Sequence, residues 1–268
     1  MELTRYITVG QYLPRSSPLH NLDPRTKILA TMALMVTLFL IPSFAGLGLL
    51  AAGLPALLVL GQIPLGYALR GLRPIAVLLL LTVFLNTFFG GGDGGRTLFQ
   101  AGPLVATEEG FRRALFVGLR FILLVTAATL LTFVTSPVEL TDGLEWLLRP
   151  FRRVGVPAHE LAMMMSIALR FIPTLLEETE KIMKAQMARG AEFSQGSILN
   201  RARAFVPVLV PLLISAFRRS EELALAMEAR CYRGGEGRTR MKELRWRRGD
   251  LVAGVLVIVA STVLVRLR

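Results

Sequence analysis

Glu177 and Glu178, adjacent, and His159 beside Glu160 are the residues of this sequence that could do acid–base chemistry. Two carboxylates can serve as general acid and base, but such a pair needs a positioned histidine or metal; the other reading is a solvated helix face. His159-Glu160 lacks the second histidine of a zinc-protease helix, and neither a Walker A nor a Gly-x-Ser-x-Gly motif occurs. The glycine run Gly90–Gly95 is not followed by Gly-Lys-Ser or Gly-Lys-Thr, so it reads as an external connection and not as a phosphate cradle. One cysteine, Cys231, excludes an intramolecular disulfide, and with only His20 and His159 beside it a Cys/His metal site is not expected. The chemistry that the sequence does offer is recognition. Lys184-Ala185-Gln186-Met187-Ala188-Arg189-Gly190 is echoed by Ala226-Met227-Glu228-Ala229-Arg230-Cys231, with Ala188 over Ala229 and Arg189 over Arg230. Small alanines allow close backbone approach, and a guanidinium forks onto a carboxylate through a charge-assisted contact. A single arginine before a helix-breaking glycine can merely complement the helix dipole. Two matched tips favour docking to two similar partner subunits.

The elements that carry these tips follow from the distribution of charge. The 268 residues are 53% hydrophobic with a mean hydropathy of +0.55, which points to lipid. Ile28 to Leu69, Pro74 to Gly92, Phe121 to Val138 and Leu251 to Val265 contain no Asp, Glu, Lys or Arg. A bilayer core takes about 20 apolar residues per helix, and Pro42-Ser43 divides the first stretch, so helices are expected near 27–41, 44–61, 74–89, 108–135 and 250–264. Asp23-Pro24 starts the first helix as N-cap and first-turn proline, with Arg25 and Lys27 marking the cytoplasmic face. Arg70 and Arg73 return the chain to that face. Arg120 is the one charge expected at membrane depth, where it snorkels or faces protein. The N-terminus lacks the apolar core of a secretory signal, so no cleavage is expected.

The texture changes after residue 135. Between Glu145 and Arg248 there are 19 Lys or Arg against 11 Asp or Glu, much of the net charge of +12. The charges alternate with apolar runs, which speaks against nucleic acid as the partner; the positive-inside rule places the segment in the cytoplasm. Amphipathic helices are expected near 137–150, 157–188 and 197–232, with Pro173, Pro207 and Pro211 kinking or interrupting the longer two. Such helices lie along or beneath a membrane surface. The tract Arg238–Arg248, with Trp246, reads as a cytoplasmic anchor before the last span. The expected fold is all-α and polytopic: about five transmembrane helices plus cytoplasmic amphipathic coupling helices. Its domains are 1–135, four spans; 136–248, the coupling domain; and 249–268, the final span. Met163-Met164-Met165, with Met183 and Met187, offers a flexible surface suited to several partners, although methionine also fills ordinary cores.

Gly10-Gln11-Tyr12, the run Ser17-Pro18-Leu19-His20-Asn21-Leu22-Asp23-Pro24-Arg25-Thr26-Lys27, the stretch Leu169-Arg170-Phe171-Ile172-Pro173 and the paired tips resemble the transmembrane T component of energy-coupling factor transporters, a family with cobalt and biotin relatives. The resemblance covers essentially the whole chain. It implies the non-catalytic membrane scaffold of an ABC-type vitamin or micronutrient importer. Two ATPase subunits, which bind the ATP, would dock on Ala188, Arg189 and Gly190 and on Ala229, Arg230 and Cys231. A membrane-embedded, substrate-binding S component would meet the preceding helices, for which Met163, Met164, Met165, Pro173, Pro207 and Pro211 are the candidates. No cofactor or metal of its own is expected. One departure stands out: Cys231 occupies the family's glycine position, which leaves two endings open for this helix, directly after Arg230 or at Gly234-Gly235. The rivals are a permease that conducts substrate itself, for which the spans are poor in polar residues, and an intramembrane enzyme.

Overall fold

The computed structural model describes residues 12–89, 97–101, 104–193, 197–235 and 244–267. Gly10-Gln11, the loop Gly90–Gly95 and the first half of the basic tract, 238–243, lie outside the described residues. The chain divides into two compact units, Gln11–Gly143 with Leu244–Arg268, and Leu144–Glu243.

In the first unit, helix α1 (Pro24–Leu40) starts as the local sequence requires: the Asp23 carboxylate accepts from the Arg25 amide at 2.9 Å and Pro24 sits in the first turn. It ends before Pro42. Ser43 then caps α2 (Phe44–Leu60), its hydroxyl accepting from the Gly46 amide at 3.3 Å. The chain does not loop back at Arg70 and Arg73. Instead α3 (Leu65–Leu72) passes through one 3-10 turn at Arg73–Ile75 into α4 (Ala76–Phe89), because Pro74 falls at the start of that turn, where a missing amide costs little. An antiparallel hairpin, β1 (Thr97–Ala101) and β2 (Leu104–Thr107), is the one pair of strands among the described residues, and it delivers Thr107 as the cap of α5 (Glu108–Val134). Glu108 and Glu109 lie in the first turn of α5, the favourable end of the helix dipole.

Helix α5 is the central element, packed by α1, α2, α3 and α4. Leu38 and Ile41 from the end of α1, Leu47, Leu50 and Leu54 of α2, Leu123 and Ala127 of α5 and Leu264 of α10 (Arg248–Arg266) form the main core. At the α4–α5 contact a Cβ on Gly110 would lie 2.7 Å from the Thr87 carbonyl oxygen, so only glycine admits that approach. Arg120 faces protein: its Nη2 donates to the Ile41 carbonyl at 2.7 Å and its guanidinium lies 4.7 Å from the Phe116 ring centroid. It thereby closes the C-terminal end of α1 from the side of α5.

The run Ser17–Lys27 folds into a buried polar knot. Lys27 is buried, 7% exposed, and its ammonium donates to the carbonyls of His20 at 2.9 Å and Val134 at 3.1 Å, neutralising the C-terminal end of α5. Asp250, 1% exposed at the start of α10, accepts from the amides of Asp23 and Arg247, both at 2.7 Å. His20 lies 2.7 Å from the Ser17 hydroxyl and 3.0 Å from the Leu13 carbonyl. Buried charge is costly unless every lone pair and proton finds a partner, and this knot supplies backbone partners from four separate stretches of chain.

Among the described residues, five helical runs are long and apolar enough to cross a membrane: Leu65–Phe88, Glu108–Val134, Ala158–Ala188, Leu199–Ala229 and Arg248–Arg266. The number matches the sequence expectation and the membership differs. Helices α1 and α2 have 17 residues each, about 26 Å, near the lower limit of a span. Two of the helices read as amphipathic enter the set instead.

Candidate docking site: two arginine tips

The second unit is built on α7 (Ala158–Ala188) and α9 (Val206–Ala229), which pack together and are joined through α8 (Ile198–Ala204). Helix α6 (Pro137–Leu148) and a 3-10 turn (Arg149–Val154), closed by Gly155 at φ 92°, lead into α7. The prolines act unequally. Pro173 and Pro211 lie inside continuous helices, whereas Pro207 falls in the first turn of α9 and separates it from α8 at Phe205. A first-turn proline gives up no intrahelical hydrogen bond, so the break falls there.

Helices α7 and α9 run antiparallel. The Gln186 side chain, near the end of α7, donates to the carbonyl of Pro207, at the start of α9, at 3.4 Å. Further along, Glu178 accepts from the Ser215 hydroxyl and, at 2.9 Å, from Arg219. Neither sequence reading of the acidic pair holds for both members: Glu177 is exposed, and Glu178 is a half-buried clamp between the helices. The clamp joins equivalent positions, each eleven residues before its tip arginine, a spacing that could have revealed it in the sequence. Arg189 therefore sits beside the start of α9 and Arg230 at its end. With 24 residues in α9, the tips stand about 36 Å apart at 1.5 Å per residue.

The two tips share one backbone design. At the first, Arg189 is the C-cap, Gly190 has φ 88°, and the amides of Gly190 and Ala191 donate to the carbonyls of Met187 and Gln186, both at 3.0 Å. At the second, Arg230 is the C-cap, Cys231 has φ 58°, and the amides of Cys231 and Tyr232 donate to Glu228 at 2.9 Å and Met227 at 3.0 Å. Both are Schellman endings. Of the two endings the sequence left open, the structure takes the earlier one and not Gly234-Gly235: Cys231 itself takes the left-handed conformation, because satisfying two terminal carbonyls outweighs its side-chain penalty. Ala188, Arg189, Gly190, Ala229, Arg230 and Cys231 are all exposed. Among the described residues no acidic side chain pairs with either arginine.

The other sequence candidates are spread along the same helices. Met164 and Met165 are exposed on α7 and Met163 is half-buried; Pro173, Pro207 and Pro211 are exposed. What the sequence reading passed over is the exposed arc of α9 formed by Val206, Leu209, Val210, Leu213, Ile214 and Phe217, all between 51% and 63% exposed. Its i, i+4 spacing was the available signal.

Fold and site together define a multi-pass, all-helical membrane protein that presents two matched arginine tips from a pair of antiparallel helices. Residues 15–241 match the family described as "Cobalt transport protein" (CbiQ). The chain is 58% identical to the energy-coupling factor transporter transmembrane protein EcfT of Thermosediminibacter oceani, over 93% of each chain. It is 51% identical to the EcfT of Acidaminococcus fermentans over 98% of this chain and 97% of that one, and 50% identical to the EcfT of Clostridium kluyveri over 97% of each. The chain belongs to this family, the transmembrane T components of energy-coupling factor transporters.

Proposed function

We propose that the chain is the non-catalytic coupling subunit of an ATP-driven importer. Two ABC ATPase subunits, which bind the ATP, dock on the Arg189 and Arg230 tips from the cytoplasm. Their closing motion passes through the antiparallel helices to a membrane-embedded S component that holds the substrate, a vitamin or micronutrient. The observation that carries this reading is the pair of matched Schellman helix endings about 36 Å apart. One partner groove cannot take both, and two copies of one subunit can. The exposed methionines of α7 and the apolar arc of α9 supply a surface that an apolar membrane partner would cover. Acidic grooves on the ATPases fit the exposed guanidiniums, and neither nucleic acid nor a metal enters the mechanism.

A substrate-conducting permease needs polar groups aimed into a pathway. On α4 and α5 the hydroxyls of Thr82, Thr87, Thr126, Thr129 and Thr132 and the amide of Asn86 each donate to the carbonyl four residues earlier on their own helix. That pattern favours a scaffold. Co-purification is the test: Arg189→Glu combined with Arg230→Glu is expected to lose the ATPase subunits while the membrane helices keep their fold by circular dichroism. ATPases retained by the double variant would sink the docking assignment; single variants are less informative, because one tip can hold while the other is lost.

A further inference from the structure

The two tips agree in backbone and differ in what stands behind them. At the first, the residue that closes the Schellman turn is Ala191, and the left-handed position is glycine. At the second, the left-handed position is Cys231 and the closing residue is Tyr232. The Tyr232 hydroxyl lies 3.4 Å from Nε2 of His159, in the first turn of α7, and Nδ1 of the same ring lies 3.1 Å from the Glu145 carboxylate. With Nδ1 donating to Glu145, Nε2 is left to accept from the phenol, so one tautomer satisfies both contacts. His159 is held in place from another side as well: a Cβ on Gly235 would lie 2.6 Å from the ring, so the backbone at Gly235 lies against the imidazole.

A non-glycine residue in the left-handed region persists where its surroundings over-determine it. We infer that His159 is the positioning residue of the second tip: anchored by Glu145 and backed by Gly235, it holds Tyr232 and thereby the turn that presents Arg230. The first tip has glycine at the corresponding position and carries no such strain. The consequence for ATPase docking rests on the function proposed above; the positioning itself does not.

Cys231 is the only thiol of the chain, so a nitroxide placed there reports the second tip directly in the full-length protein in lipid nanodiscs. The wild-type spectrum is expected to show a mainly immobile label, and His159→Ala to turn the mobile component into the majority. A label on Ala188→Cys in the Cys231→Ser chain, at the other tip, is expected to keep its spectrum on His159→Ala. An unchanged label at Cys231, or equal loosening of both tips, overturns the inference. In the Arg189→Glu chain, where one tip remains, His159→Ala is expected to reduce retained ATPase about fivefold through lost preorganisation. A second tip that loosens without any loss of ATPase upholds the positioning role and removes the docking assignment of Arg230.

Discussion

Cys231 at φ 58° occupies a conformation that glycine enters freely and that costs other residues about 1 kcal/mol. Gly190 occupies the same place in the first tip with nothing within 4 Å of where a Cβ would stand, so its requirement is conformational and not steric. Opposite effects are expected from reciprocal substitutions. Cys231→Gly should slow hydrogen exchange of the Tyr232 amide, and Gly190→Ala should hasten that of Ala191, each by about fivefold, the equivalent of about 1 kcal/mol. An unaltered Tyr232 rate would mean that the surroundings of Cys231 already remove the strain. Residue identity alone pointed to both arginines; the conformation of the residue that follows each was beyond its reach, because a missing glycine is equally consistent with a displaced helix end.

At the scale of elements, the relation between α7 and α9 is the decisive fact, since it converts two similar sequence stretches into two separated tips. Gln186 faces Pro207, not Met227, its counterpart in the internal echo. In the Cys231→Ser chain, thiols introduced as Gln186→Cys and Pro207→Cys are expected to be joined by a short bifunctional reagent. Gln186→Cys with Met227→Cys, which a parallel pair would bring together, should remain unlinked on a denaturing gel. The Glu178–Arg219 pair steadies this arrangement modestly. Its side chains are 23% and 35% exposed, so a double-mutant cycle read by thermal unfolding should give a coupling below about 1 kcal/mol. The caps at Ser43 and Thr107 came from the structure; helix existence was legible from charge-free apolar runs, from Asp23-Pro24 as a start and from Pro42-Ser43 as a break. Direction of packing was not, because hydrophobic period says which face is buried and nothing about which neighbour buries it.

At the scale of the whole molecule, the polar knot around Lys27 ties the segment before α1 to the ends of distant helices within its unit. His20 belongs to this knot, and its pKa lies below the ordinary value, first because burial disfavours the imidazolium; Lys27 adds to the shift, and the Leu13 carbonyl opposes it. The folded chain therefore takes up this proton less readily than the unfolded chain. Its stability is unaffected well above the ordinary histidine value of about 6.5 and falls as pH drops through that value toward the folded one. The melting temperature in nanodiscs is expected to decline between about pH 7 and 5.5, and His20→Gln should flatten that decline. An identical slope in the variant would assign the loss to other groups.

A multi-pass helical protein, the points where its first helices begin and break, and the placing of Arg189 and Arg230 at the ends of two similar helices can all be read from the residues in order. Those properties depend on residues near in sequence: charge-free runs, caps, prolines and an echo. That Lys27 is a buried fastener, that Arg120 closes α1, that Glu178 clamps α9, and that the tips lie at opposite ends of one helix pair emerges from the folded chain alone. Each of these depends on which carbonyl or side chain arrives from a distant part of the chain, and the energy of a buried polar group is set by that partner rather than by its own identity.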